Sequence, residues 1–274
     1  MAMVKLAFSV DNHFDVNHID AQAAVVKIAG YLLANHYQVY VNAGDTFNDF
    51  TKTLWFYRAL QQAVGSKVVV RYLAGNHDLV KNVSYQTAQS SVSPLYLHEK
   101  TLTVPGTNTV IIGNNGWYDY SLAPADLKAT DADFAQWKRA YWIDSAIDQP
   151  VSDRERMARV LTTTKRDLLA AAGHRVIYVT HFVPTPLMMM PAPAHSRWEM
   201  AAGLMGSRHL GELLEQSQVT DVVFGHLHHR DQQVVVNHTT YHHRPMGYGL
   251  RRLNEWESHD WFTEWQTTLI TLQA

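Results

Sequence analysis

Apolar runs and amphipathic stretches alternate along the first third of the chain. Residues 4–10 are apolar and β-compatible and predict a buried strand. From Asp20, a candidate N-cap, Val25, Ile28, Ala29, Leu32 and Leu33 recur at helical spacing on one face. Residues 39–41 predict a second strand. A second helix is expected over 50–64, with Leu54, Tyr57, Leu60 and Val64 as its inner stripe. Residues 67–73 predict a third strand. This alternation implies a mostly parallel sheet covered by helices, an α/β fold.

The pattern then loosens. Short strands, antiparallel in arrangement, are expected at 95–97, 102–104 and 110–113. From Asn114 to about Pro150 the chain reads as an irregular, aromatic insertion carrying Trp117, Tyr118, Tyr120, Phe134, Trp137, Tyr141 and Trp142. A long helix over 153–172 turns Met157, Val160, Leu161, Leu168 and Leu169 inward, and Gly173 stops it. A strand at 175–180, a proline-rich loop from Pro184 to Pro193, a helix at 207–216 and a strand at 221–224 follow. Residues 233–237, 239–242 and 266–271 read as closing antiparallel strands. No repeat breaks the chain, so 1–274 is expected to be a single domain whose insertion, about 114–150, is placed to cap a site.

Composition narrows the class. Apolar residues are 46% and charged residues 18% of the chain, as in globular proteins. No apolar run approaches the roughly 18 residues of a membrane span. The first ten residues lack a secretory pattern and there is no Cys, so a cytoplasmic location is expected, without disulfides or thiolate ligands. The balance of 23 basic against 25 acidic residues argues against a nucleic-acid footprint. Sixteen His residues are the compositional anomaly.

The anomaly has a location. Asp11-Asn12-His13, Gly44-Asp45, Gly75-Asn76-His77-Asp78, His181 and Gly225-His226-Leu227-His228 each follow an apolar run. Asp11, His13, Asp45, Asn76, His181, His226 and His228 thus offer carboxylates, an amide oxygen and imidazoles at strand ends. One ion cannot use seven side chains; two ions sharing a carboxylate can. Mixed N/O ligation without sulfur suits Mn, Fe, Zn or Co over Ca or Mg.

In that order, the blocks resemble the calcineurin-like metallophosphoesterase superfamily. The resemblance implies a two-sheet α/β/β/α sandwich and hydrolysis of a small phosphoester. Asp11, His13 and His228 would hold one metal, Asn76, His181 and His226 the second, and Asp45 would bridge them. His77 would be the non-ligand catalytic histidine, donating a proton to the leaving oxygen. Asn48 stands where protein-phosphatase relatives carry an Asp that orients this histidine, and their following Arg-Gly pair is absent. Both departures disfavour a protein phosphatase and leave small phosphodiesters, nucleotides and phosphomonoesters open.

Other readings were weighed on the same residues. A non-catalytic scaffold of this fold would lack ligands or the histidine, and both are present here. A nuclease would bring a basic groove, which the charge pattern does not supply. His18, His36, His98, His174 and His259 read as packing or surface residues. His195, His209, His229, His238, His242 and His243 lie near enough to the blocks to contact a phosphate or decorate loops. Residues 244–248, Arg-Pro-Met-Gly-Tyr, resemble a loop that borders the site in some relatives and read equally well as a structural turn. Trp256, Trp261, Phe262 and Trp265 read as packing. Within the insertion, Trp117, Tyr118 and Tyr120 read either as a wall of the substrate site, the reading favoured here, or as a small satellite core.

Overall fold

The computed structural model describes residues 3–190, 197–230, 233–250 and 252–274. Its first half follows the predicted alternation: β1 (Lys5–Ser9), α1 (Ala21–Ala34), β2 (Val39–Asn42), α2 (Phe50–Val64) and β3 (Val69–Tyr72). Asp20 caps α1 by accepting from the Ala23 amide, and Asp49 caps α2 by accepting from Thr51 and Lys52. Two short helices follow, α3 (Asn76–Leu79) and α4 (Tyr85–Ala88), then β4 (Lys100–Thr103) and β5 (Thr109–Gly113). The second half runs α5 (Asp131–Tyr141), α6 (Asp153–Ala170), β6 (Arg175–Val179), α7 (Arg197–Gly203), α8 (Arg208–Gln216) and β7 (Asp221–Val223). It closes with β8 (Val234–Val236), β9 (Thr239–His242), α9 (Trp261–Thr268) and β10 (Ile270–Gln273).

The strands form two sheets, ordered β10-β1-β2-β3 and β4-β5-β6-β7-β9-β8. β1, β2 and β3 are parallel, as are β5, β6, β7 and β9, while the edge strands β10, β4 and β8 are antiparallel to their neighbours. Side chains alternate across each strand. Leu6, Phe8, Val39 and Val41 of one sheet meet Ile111, Ile177, Val179 and Val223 of the other in a shared core. The intervening Ala7 and Tyr40 turn outward under α1 and α2. Val110, Ile112, Val176, Tyr178 and Val222 turn the other way, under α6 and α8. Both faces of both sheets are covered, which is the expected four-layer α/β/β/α sandwich.

Several local expectations are corrected. Residues 95–97 form a turn in which Tyr96 makes a single bridge to Tyr72 rather than a strand. Leu169 is 70% exposed; Leu33 and Leu54 pack half-buried against the core, in which Ala24 and Phe56 are buried as well. The insertion is not irregular throughout: Thr130 and Asp133 make a reciprocal capping box that starts α5, and a 3-10 turn follows at Ile143–Ala146. α7 lies between the proline-rich loop and the helix expected at 207–216, where the sequence pattern predicts no element, and residues 191–196 (with Pro191, Pro193 and His195) lie outside the described residues. The strand expected at 266–271 starts at Ile270, because Asp260 caps the amphipathic helix α9 and Trp265 buries completely. β9 is parallel to β7 and antiparallel only to β8.

Candidate metal centre

Parallel strands send their C-terminal loops to a common edge, where ligands gather in α/β sheets. The loops after β1, β2, β3, β6 and β7 deliver all eight predicted residues to that edge. Asp11, His13, Asp45 and His226 have φ of 53°, 44°, 56° and 76°. Non-glycine residues reach this left-handed region only when surrounding contacts hold them there. The contacts are visible: the Asp11 amide donates to Gly44 O at 3.2 Å and the His13 amide to Asp45 O at 2.9 Å. Asp78 clamps the next two loops together, accepting from the amides of Asp45 (2.8 Å), Phe47 (3.0 Å) and Gly75 (2.9 Å). The loops approach so closely that a Cβ on Gly75 would lie 2.1 Å from Asp45 Oδ1. Gly precedes Asn76 for that reason.

Ligand-type atoms converge in three overlapping groups, Asp11/His13/His228, His13/Asp45/His77 and Asp45/His181/His226. Asn76 Oδ1 joins the third, 3.0 Å from His181 Nε2 and 3.1 Å from His226 Nδ1. Asp45 Oδ2 sits between the clusters, 3.6 Å from His13 Nε2 and 3.3 Å from His181 Nε2. Its other oxygen accepts from the His77 amide at 2.9 Å. His77 thus meets Asp45 through its backbone as well as bringing a ring nitrogen to the second group, and its ring Nδ1 lies 2.8 Å from Asn48 Oδ1. The amide thus does orient the histidine in the place of the missing carboxylate.

Electrostatics fit a cationic occupant. Asp45 Oδ2 and His226 Nε2 are buried without a hydrogen-bond partner, an expensive arrangement unless another group satisfies them. The Nε2 atoms of His13 and His228 face each other at 3.0 Å. Burial, reinforced by neighbouring imidazoles, holds His13 and His226 well below the ordinary histidine range, so both are neutral as metal ligands must be. Burial works against the Asp45 charge, but His181 and His77 outweigh it and keep that carboxylate ionised. Burial pushes Asp11 up to about 6, a cost that a bound cation would offset. The donor atoms form two clusters, Asp11, His13 and His228 in one and Asn76, His181 and His226 in the other, with Asp45 between them.

Outer partners complete the set, and sequence reading missed them. Asn76 Nδ2 donates to Asp144 Oδ1 at 2.7 Å, which aims Asn76 Oδ1 at the two histidines. His228 Nδ1 lies 3.1 Å from Glu255 Oε2, the partner that fixes the tautomer of a ligating histidine. Tyr248 packs on His13 and His228, with ring centroids 4.6 and 4.4 Å apart, and its hydroxyl is 3.3 Å from His77 Nε2. Residues 244–248 therefore do border the site, anchored by the Met246 and Gly247 amides on Val10 O and Asp11 O. Capping and pairing residues such as Asp144 and Glu255 carry no motif, and only their position marks them.

The centre opens into a cleft of about 590 Å³, lined on one side by Tyr141, Trp142, Ile143, Trp198 and Leu253. Trp117, Tyr118 and Tyr120, expected there, are instead buried in the outer core, where Tyr120 stacks on Phe134 at 4.3 Å. The insertion reaches the site through its far end. Of the intermediate histidines, His229 lines the cleft, His209 pairs with Asp119, His242 pairs with Asp221, and His243 is buried against Phe224.

This fold and this edge define a class. The family model of calcineurin-like phosphoesterases matches residues 7–230, and the chain belongs to that family. Similar solved structures include a phosphopantetheinyl hydrolase (PptH) from Mycobacterium tuberculosis, at 15% identity and TM-score 0.69, covering 99% of this chain and 96% of that one. A dimetal phosphatase from Danio rerio is similar at 12% identity and TM-score 0.51, covering 88% and 87%. At such identities the likeness is one of fold. No curated protein matches the sequence. Family and fold support phosphoester hydrolysis in general, and among the described residues no helix is long and apolar enough to cross a membrane.

Proposed function

We propose that the protein is a dinuclear-metal phosphoesterase acting on a small phosphoester: a phosphodiester, nucleotide or phosphomonoester. The observation that carries this reading is Asp45 Oδ2, buried, unpartnered and within 3.6 Å of histidine nitrogens from two clusters. Mn, Fe, Zn or Co fits the nitrogen–oxygen donor set. When bound, such ions activate water as a nucleophile and neutralise charge on the phosphoryl group. The chain's own contribution is positional. Asn48 Oδ1 accepts from His77 Nδ1, so Nε2, at the cleft, has a proton to pass to the leaving oxygen when the ring is an imidazolium. Asp144 and Glu255 orient Asn76 and His228, and Tyr248 shields one face of His13 and His228 from water.

The test is a substrate panel on metal-stripped protein reloaded with Mn, Fe, Zn or Co. The panel holds nitrophenyl mono- and diesters, nucleotides and a phosphopantetheinyl ester, the last suggested by the name of the similar hydrolase. Turnover that depends on two bound ions per chain is expected. A protein that binds both ions and hydrolyses nothing would instead be a scaffold of this fold.

A further inference from the structure

Beside the ligand loops the cleft is lined by large apolar side chains that the fold leaves open. Trp198 is 61% exposed, Tyr141 57%, Leu253 41% and Ile143 38%, and all line the cleft that begins at Asp45 and His77. Exposed apolar side chains lining a cleft beside a polar site mark a surface that a ligand covers. It is also pre-ordered. The Arg197 guanidinium lies 4.8 Å over the Tyr141 ring, and Trp137 packs against both Tyr141 and Trp142 at 5.6 and 5.5 Å.

Charge restricts what the ligand can be. Among the described residues lining the cleft, none is Lys or Arg. Arg230, just past the last ligand block, is spent on Glu257 and Glu264, and Arg197, the cation over the Tyr141 ring, brings a single positive charge beside the cleft. Around the centre stand five carboxylates, Asp11, Asp45, Asp78, Asp144 and Glu255. They offset the four positive charges that two divalent ions would bring. Little net positive charge remains for a triphosphate, a diphosphate or an oligonucleotide, whose charges beyond the reacting group would need cations of their own.

We infer that the preferred substrate is a singly charged phosphodiester with an uncharged apolar arm, and that Tyr141, Trp198 and Leu253 select that arm. This rests on the phosphoesterase reading of the same site and deepens it. The phosphoryl group would lie at the ligand loops and the arm across the exposed wall, where it removes apolar surface from water on both sides.

The experiment uses p-nitrophenyl alkyl phosphates with methyl, butyl and hexyl arms, so that leaving group and charge stay constant. With metal-loaded enzyme, kcat/KM is expected to rise by about 10-fold or more from methyl to hexyl, as partial burial of five methylenes allows. In Trp198→Ala and Tyr141→Ala that ratio should fall to within about threefold of unity. The ratio is internal to each protein, so incomplete folding or metal loading of a variant cancels. Phosphate, diphosphate and triphosphate esters of one alcohol should be turned over in descending order. A flat arm-length series in the wild type, or a series unaltered in both variants, overturns the inference, as does preference for the triphosphate. If no ester is hydrolysed, the phosphoesterase reading fails, and the arm is scored by calorimetric binding of dimethyl and dibutyl phosphate. Tighter binding of the dibutyl anion to wild type than to Trp198→Ala keeps the inference; equal binding overturns it.

Discussion

Asn76 Nδ2 donates to Asp144 Oδ1 at 2.7 Å, so the aromatic insertion is tied to the metal site through a candidate ligand. Asp144 is buried in the 3-10 turn that follows α5, and burial pushes its carboxyl up to about 6. Removing it frees the Asn76 amide to flip its nitrogen toward His181 and His226. Asp144→Ala is expected to weaken the second metal site by about 10–100-fold, the range for outer partners of metal ligands. Asp144→Asn should recover part of that loss. Metal titration followed by elemental analysis reads both.

Asp45 and His13 should separate the shared anion from a single-site ligand. Asp45→Ala removes the oxygen that lies near both clusters and should lower occupancy at each. His13→Ala should empty mainly the site shared with Asp11 and His228. A metal-replete wild type that retains at most one tightly bound ion defeats the two-site assignment.

His77 tests chemistry apart from binding. Its side chain is held by Asn48, so His77→Ala should keep both metals and lose about 10²–10⁴ in kcat. The loss should shrink for nitrophenol esters, which need little protonation on departure. Burial lowers the His77 pKa, and an amide partner supplies no charge to offset that. Asn48→Asp adds a charge that favours the imidazolium, so the limb of the pH–rate profile reporting His77 should move to higher pH. A limb that stays put in Asn48→Asp removes His77 as its source.

His98 predicts acid sensitivity away from the site. Burial holds its pKa down to about 3, against about 6.5 for an ordinary histidine. Its Nδ1 accepts from the Asn115 amide at 3.1 Å, and its Nε2 lies 3.2 Å from Gln89 Oε1, a pattern only the neutral ring satisfies. The unfolded chain takes up a proton near pH 6.5 and the folded chain does not. The stability from this residue is therefore complete above pH 6.5 and is lost progressively as pH falls toward 3. By pH 4.5 the loss is about 2–3 kcal/mol. Urea midpoints of wild type and His98→Gln should converge between pH 7.5 and 4.5.

Trp117 serves as the packing control for the insertion. It is buried, donates from Nε1 to Asp153 Oδ1 at 2.8 Å, and carries Arg156 3.5 Å over its ring. Trp117→Ala should cost about 3–5 kcal/mol in chemical denaturation. Substrate preference among the alkyl esters should not change, unlike in the exposed-wall variants.

Sequence alone determined what local chemistry determines. Alternating apolar runs and capped amphipathic stretches placed β1, α1, β2, α2 and β3, because period and cap act within a few residues. Strand ends rich in Asp, Asn and His marked Asp11, His13, Asp45, Asn76, His77, His181, His226 and His228, because parallel strands deliver such loops to one edge wherever the strands lie. Tertiary structure decided what depends on distant neighbours. α5 and α9 were hidden because aromatic residues fit a helix, a strand or a loop equally, and only the surfaces they pack on choose. The same ambiguity misassigned Trp117, Tyr118 and Tyr120 to the cleft, although the insertion reaches it with Tyr141, Trp142 and Ile143. Asp144 and Glu255 had no signal at all: a carboxylate becomes the partner of Asn76 or His228 only when folding across 68 residues, or across a loop, brings it within hydrogen-bonding distance.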